Sequence, residues 1–182
     1  FSFFALQKIG AIVVLLVARH SFSEINYLSS LTHPVAWIGP DFYKKTDYLP
    51  ILQQVMKEHK ELKHLISVRS PDNKSFTPLE KLIEESDLTK SNLGALAARR
   101  PEPTEVSIIL PTGGTTGVPK AVPRTHNDYI ASVEYHTRAW EVTCNDTMLT
   151  AAPVSHAQAI HNCVGGAFFH CAKYVLTDST DA

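Results

Sequence analysis

The chain has 182 residues, long enough for one domain with a substantial core. Its 17 basic and 18 acidic residues leave a net charge of −1, so nothing suggests an electrostatic partner such as nucleic acid, and none is expected. Hydrophobic residues at 44% and charged ones at 19% are ordinary for a soluble globular protein, and three cysteines without a CxxC pair point to free thiols in a reducing, cytoplasmic compartment.

The opening Phe1 to Val17 is apolar enough to raise the question of a membrane or signal segment. Gln7, Lys8 and Gly10 interrupt it, and the unbroken part, Ala11 to Ala18, falls far short of the about 20 residues a span needs. No membrane span is expected. The absent initiator methionine and the start inside an apolar segment point to a piece of something longer.

In chain order, Phe3 to Gly10 reads as the last turns of a helix closed by glycine. Ala11 to Val17 reads as a fully buried strand of the parallel-sheet kind. Ser23 with Glu24 opens a helix through Leu31, with Ile25, Leu28 and Leu31 on one face; Val35 to Ile38 is the next strand. Asp47 to Glu61 is an amphipathic helix with Leu49, Leu52, Val55 and Met56 inward, and Leu65 to Val68 follows as a strand. A helix is expected at Leu79 to Glu85, then a solvated connector from Ser86 to Thr104. After a strand over Glu105 to Leu110, an extended Ala121 to Pro123 leads into a helix from about Asp128 to Trp140, capped by Thr125 or Asn127. A strand at Thr147 to Ala152, a helix at His156 to His170 rich in small residues, and a strand at Lys173 to Thr177 complete the pattern. This alternation predicts a single α/β domain over residues 1–182, a mostly parallel sheet with helices on both faces.

The chemistry concentrates in Leu110-Pro111-Thr112-Gly113-Gly114-Thr115-Thr116-Gly117-Val118-Pro119-Lys120. A strand feeding a glycine- and threonine-rich loop that ends in lysine is a device for holding phosphate. Glycines let backbone N–H groups turn toward an anion, hydroxyls add donors, and the lysine adds charge. The P-loop pattern fails, because Val118 and Pro119 separate Gly117 from Lys120 and Ala121 follows the lysine. The dinucleotide fingerprint fails too, because Gly113, Gly114 and Gly117 lack its spacing. Pro119 also keeps the loop from running straight into a helix.

The loop resembles the phosphate loop of the acyl-adenylate-forming enzymes: acyl-CoA synthetases, peptide-synthetase adenylation domains and luciferases. Thr112 to Lys120 fills every position of their signature, Thr/Ser-Ser/Gly-Gly-Thr/Ser-Thr-Gly-x-Pro-Lys. Gly113 and the following Pro123-Arg124-Thr125-His126 are similar to the aryl-acid branch typified by 2,3-dihydroxybenzoate–AMP ligase. The apolar strand after a helix ending in glycine, and then Ser23-Glu24-Ile25, extend the resemblance over most of the chain. It implies part of the N-terminal domain of an ATP-dependent ligase that joins a small carboxylate to AMP, releases pyrophosphate, and passes the acyl group to CoA or a phosphopantetheine carrier protein. Thr112, Gly113, Gly114, Thr115, Thr116 and Gly117 would then wrap the β- and γ-phosphates, and Lys120 would sit near the departing pyrophosphate. Arg124 and His126 are candidates to support the loop.

His156, in Pro153-Val154-Ser155-His156, resembles a second family segment whose aromatic ring lines the acyl pocket. Its alternative is a histidine that hydrogen-bonds its own helix start. The aryl-acid branch usually has asparagine next, to meet a ring hydroxyl, and this chain has Ala157. An unpaired hydroxyl there costs roughly 1–3 kcal/mol, which argues against a 2-hydroxybenzoate. His156, His161, Cys163, His170 and Cys171 match no zinc spacing, and Glu84, Glu85 and Asp87 read as a charged face. The adenine-stacking segment, the glutamate that helps hold Mg2+, the ribose-binding aspartate and the C-terminal domain have no counterpart in these residues. The chain alone is therefore expected to be inactive, with weak or no ATP binding. Two other classes stay open: a non-catalytic nucleotide-binding module, and a structural α/β domain that retains the loop.

Overall fold

The computed structural model describes residues 1–18, 20–87, 89–112 and 119–177. Helix α1 (Ser2–Lys8) closes as the glycine predicts. Gly10 takes φ +75°, its N–H donates to the Gln7 carbonyl at 3.1 Å, and the Ala11 N–H donates to Leu6 at 3.0 Å. Strand β1 (Val13–Val14) is shorter and less covered than expected: only Val13 is buried and Ile12 is 52% exposed. It lies at the edge of its sheet, so among the described residues one flank carries a strand neighbour and the other does not.

Helix α2 (Phe22–Thr32) starts ahead of the expected Ser23, because Ser21 is the cap. The Glu24 carboxylate accepts from both the backbone N–H and the hydroxyl of Ser21, each at 2.8 Å. Ile25 and Leu28 are buried as expected, but Leu31 is 48% exposed. Strand β2 (Ala36–Gly39) leads into a two-stranded ribbon absent from the sequence reading, β3 (Phe42–Tyr43) with β4 (Thr46–Asp47). Each of those strands is two residues long, too short for a period to register. Helix α3 (Tyr48–Glu58) is capped by Asp47, whose carboxylate accepts from the Leu49 N–H at 3.0 Å. Tyr48, Leu52 and Val55 meet Ile25, Leu62 and Phe76 in the main core cluster, with Trp37 and Leu65 packed against it. Each fully buried aliphatic there contributes about 1.5–3 kcal/mol.

Strand β5 (His64–Ser67), the short β6 (Thr77–Pro78) and α4 (Leu79–Glu84) follow. The expected connector proves to contain helix α5 (Lys90–Ala98). The Thr89 hydroxyl accepts from the Asn92 N–H to start it, but Leu93 is 50% exposed and the helix buries no apolar stripe that would announce it. Strands β7 (Val106–Pro111) and β8 (Ala121–Thr125) pair antiparallel, and helix α6 (His126–Ala139) begins at once, its cap the Thr125 hydroxyl.

Strand β9 (Thr147–Thr150) precedes a segment read from sequence as one α-helix. It is instead a π-helical stretch, Ala159–Gly165, running into α7 (Gly166–His170). Its small residues do what small residues suggest. A Cβ on Gly165 would meet Val133 Cγ2 at 2.8 Å, and one on Gly166 would meet Thr137 Cγ2 at 2.7 Å, so α6 lies against both. Strand β10 (Lys173–Leu176) pairs with β9.

The described strands form three main ladders, β1-β7-β8, β2-β5-β6 and β9-β10, besides the β3–β4 ribbon. Pairing is parallel for β1–β7, β2–β5, β5–β6 and β9–β10, and antiparallel for β7–β8 and β3–β4. The mixed α/β class expected from the alternation is the one observed, mostly parallel.

Candidate functional site: a pinned anion loop

The six residues Gly113 to Val118, which include the predicted phosphate-wrapping Gly113, Gly114, Thr115, Thr116 and Gly117, lie outside the described residues. What is described is the neck on which they stand. Strands β7 and β8 converge through the pairs Leu110–Val122 and Pro111–Ala121. Beyond the last pair, the Thr112 N–H donates to the Lys120 carbonyl at 2.9 Å, and the Lys120 N–H donates to the Thr112 hydroxyl at 3.3 Å. Both residues are exposed. Thr112 and Lys120, predicted as neighbours on a phosphate, are thus brought face to face. Pro119 behaves as expected, since a strand and not a helix follows it.

Below the neck, the Ser107 hydroxyl donates to the Arg124 carbonyl at 3.3 Å across a register shift between Val106 and Ile108. Arg124 turns to the start of α6, where its guanidinium donates to both Asp128 carboxylate oxygens, Nη2 to Oδ1 at 2.8 Å. That guanidinium holds the Asp128 carboxyl below its ordinary range. The charge of Arg124 is thus matched by Asp128 at the start of α6.

His156 is exposed and follows a turn in which its N–H donates to the Pro153 carbonyl at 2.8 Å. Its Nδ1 accepts from the Gln158 N–H at 3.3 Å, so the ring serves the helix start and its Nε2 carries the proton. It shares no described hydrogen bond with Thr112 or Lys120.

Sequence reasoning gave His161 no role beyond noting that it matches no zinc spacing. Only 4% of it is exposed, it stands edge-on to Tyr129 with ring centroids 4.4 Å apart, and its Nε2 is buried without a partner among the described residues. The Tyr129 hydroxyl donates to the Ile160 carbonyl at 3.0 Å, and burial pushes that phenol above its ordinary value. Burial first, and the Arg124 charge second, lower the His161 pKa to about 4. The apolar spacing of Tyr129 and Val133 was the available signal; nothing in the π-helical segment marks His161 as buried. Among the described residues, no three His, Cys, Asp or Glu side chains come together to hold a metal, and Cys144, Cys163 and Cys171 are free thiols.

The antiparallel strand pair brings Thr112 and Lys120 together at the base of a glycine- and threonine-rich stretch of sequence, a candidate anion site on an α/β frame. Residues 1–182 match the family model described as AMP-binding enzyme, and the chain belongs to that family. It is 32% identical over 155 residues to the 2,3-dihydroxybenzoate-AMP ligase of Bacillus subtilis (strain 168), covering 84% of this chain and 26% of that protein. It is 32% identical over 178 residues to triostin synthetase I of Streptomyces triostinicus, covering 97% of this chain and 31% of that protein. The apo structure of Mycobacterium smegmatis MbtA superposes with a TM-score of 0.79 at 23% identity, covering 98% of this chain and 32% of that one. The chain thus spans roughly a quarter to a third of the relatives it matches.

Proposed function

We propose that these residues are the triphosphate-gripping part of an acid–thiol ligase, which activates a carboxylate as acyl-AMP and then forms a thioester with CoA or a carrier protein. The observation that carries it is the neck. The Thr112 N–H holds the Lys120 carbonyl and the Lys120 N–H holds the Thr112 hydroxyl, so the two ends of the loop leave one point of a strand pair. An anion entering between them meets donors whose flanks are already fixed, the condition for electrostatic stabilisation of a leaving pyrophosphate. Thr112, Gly113, Gly114, Thr115, Thr116 and Gly117 bind the β- and γ-phosphates in this reading, and Lys120 offsets the charge that develops as the α–β bridge breaks. The B. subtilis relative's name, a ligase of an aryl acid to AMP, supports a carboxylate as the second substrate.

Mg2+ would arrive with the ATP phosphates and keep several of its waters, so it would need few protein ligands here, and no step is assigned to it. His156 lines the acyl side, its Nδ1 held by Gln158 and its Nε2–H free to face a substrate. Ala157 offers no polar partner, which favours an acid without an ortho hydroxyl. Residues 1–182 act as a single α/β unit of the longer enzyme, in the reducing cytoplasm that free cysteines suit.

The test is acid-dependent ATP–pyrophosphate exchange by the whole enzyme, against aryl, alicyclic and fatty acids. Lys120→Ala is expected to slow exchange by about 10²–10³-fold with folding unchanged. Exchange that ignores the substitution overturns the role given to Lys120, and no exchange with any acid favours a non-catalytic nucleotide-binding module.

A further inference from the structure

The π-helical stretch Ala159–Gly165 has its cause in a side chain of α6. A π-helix pairs each N–H with the carbonyl five residues back, so the Gly165 N–H reaches the Ile160 carbonyl. The Tyr129 hydroxyl donates to that same carbonyl at 3.0 Å. A Cβ on Gly165 would stand 3.0 Å from the Tyr129 hydroxyl and 3.4 Å from the Ile160 oxygen. The phenol therefore enters the helix turn between Ile160 and Gly165, through the space that glycine leaves open. A side chain inserted into the hydrogen-bond ladder is a recognised cause of local departure from α geometry. The ring behind this wedge is fixed, since Tyr129 is buried and His161 stands edge-on to it at 4.4 Å. The wide turn also leaves His161 Nε2 buried without a partner among the described residues, an unfavourable placement that needs a compensating hold. Such turns concentrate at functional sites.

Each end of the segment has its own anchor. Downstream, Gly166 lies against Thr137, whose hydroxyl donates to the Val133 carbonyl and accepts from His170 Nε2 at 2.8 Å. Upstream, the Ile160 N–H donates to the His156 carbonyl at 3.1 Å, so His156 heads a turn of ordinary α pitch just before the wedge. Where His156 stands relative to α6 then depends on the register between Ile160 and Gly165. We propose that Tyr129 is a positioning residue of the ligase: by holding the wide turn open, it sets the place of His156 on the acid side. This rests on the acid-facing role given to His156 in the proposed function. Without the wedge the turn relaxes to α geometry, in which each N–H pairs four residues back. One residue leaves the turn, and the chain upstream of Ile160 rotates by about 100° and shifts by about 1.5 Å along the axis. The turn from Pro153 to His156 takes up the difference, because β9 is fixed by its pairing with β10.

The test compares the whole enzyme with its Tyr129→Phe variant, which keeps the ring against His161 and removes only the hydroxyl. In crystal structures the variant is expected to show unbroken α-helix from Ala157 to His170, with the His156 Cα displaced by about 1.5 Å. A retained π turn, or His156 in its original place, overturns the inference. In ATP–pyrophosphate exchange with benzoate as the probe acid, the variant should raise KM for the acid by about tenfold and leave KM for ATP unchanged. The Thr125 cap and the Arg124–Asp128 pair lie outside the wedge, so the phosphate side is untouched. A loss of stability alone would lower the amount of active enzyme without moving one KM against the other. Adding His156→Ala completes a cycle: if Tyr129 acts through His156, the double variant has the acid KM of His156→Ala alone. Effects on the acid KM that multiply overturn the inference. If Tyr129→Phe does not fold, Gly165→Ala, whose methyl group takes the hydroxyl's space, answers in its place by the same two readouts. A displaced His156 with an unchanged acid KM, or with no exchange on any acid, overturns instead the acid-facing reading and leaves Tyr129 as the holder of the turn.

Discussion

His161 stays neutral at ordinary pH where it sits. Its ring is buried edge-on to Tyr129, Arg124 and His136 oppose a proton there, and only Asp128 favours one. The folded-state pKa of about 4 is below the ordinary 6.5, so the unfolded chain takes up a proton first as pH falls. Stability is whole above about pH 6.5, declines through the window down to about 4, and loses roughly 3 kcal/mol from this group. Denaturant melts between pH 7 and 4.5 should show that slope in the native chain, and His161→Phe, which keeps a ring against Tyr129, should flatten it. A slope identical in both proteins would mean the ring is accessible to solvent in the folded state. His156 presents the opposite case: exposed, its ring tied to the Gln158 N–H. His156→Ala should lower kcat/KM for the acid in the whole enzyme, leave KM for ATP unchanged, and cost about 1 kcal/mol of stability through the lost cap.

Helix contacts set the next group of expectations. Gly165 and Gly166 face α6 with no room for a methyl group, so Gly165→Ala or Gly166→Ala should each cost about 1–3 kcal/mol in denaturant midpoint. Gly94, in α5, has nothing within 4 Å of where a Cβ would stand. There Gly94→Ala should stabilise the chain by about 0.5–1 kcal/mol. The opposite signs, measured in one set of melts, separate packing from propensity. The same contrast explains what could be read from residues alone. Helices α2, α3 and α6 bury one side and therefore show a period, and Gly10 marks the close of α1 because only a residue free of Cβ strain suits φ +75° there. Helix α5 buries little and shows none. The π-helical turn leaves no trace because its cause, the approach of α6, is a contact between segments distant in the chain.

At the scale of the molecule, strand–helix alternation sufficed for the mixed α/β class, and the run from Thr112 to Lys120 sufficed for the family, because phosphate recognition by backbone demands a contiguous stretch. The partition into separate ladders was not legible. Ala11 to Val17 reads as covered on both sides, yet in the fold one side faces a cavity, since a strand's composition records its neighbours without naming them. Calorimetry on the 182 residues should find weak or no ATP binding, because the proposed role of the neck is limited to the triphosphate and includes no adenine platform among the described residues. Tight binding would relocate nucleotide recognition into this segment.

The Thr112–Lys120 clasp has an implication for tinkering with the region between them. Since the hairpin is zipped up to that clasp, lengthening or shortening the tip changes the closure entropy by only a few tenths of a kcal/mol. Melting temperature would scarcely notice such edits, whereas catalysis would notice every one. Thermal screening alone would therefore pass variants that have lost the phosphate-binding role proposed for the loop.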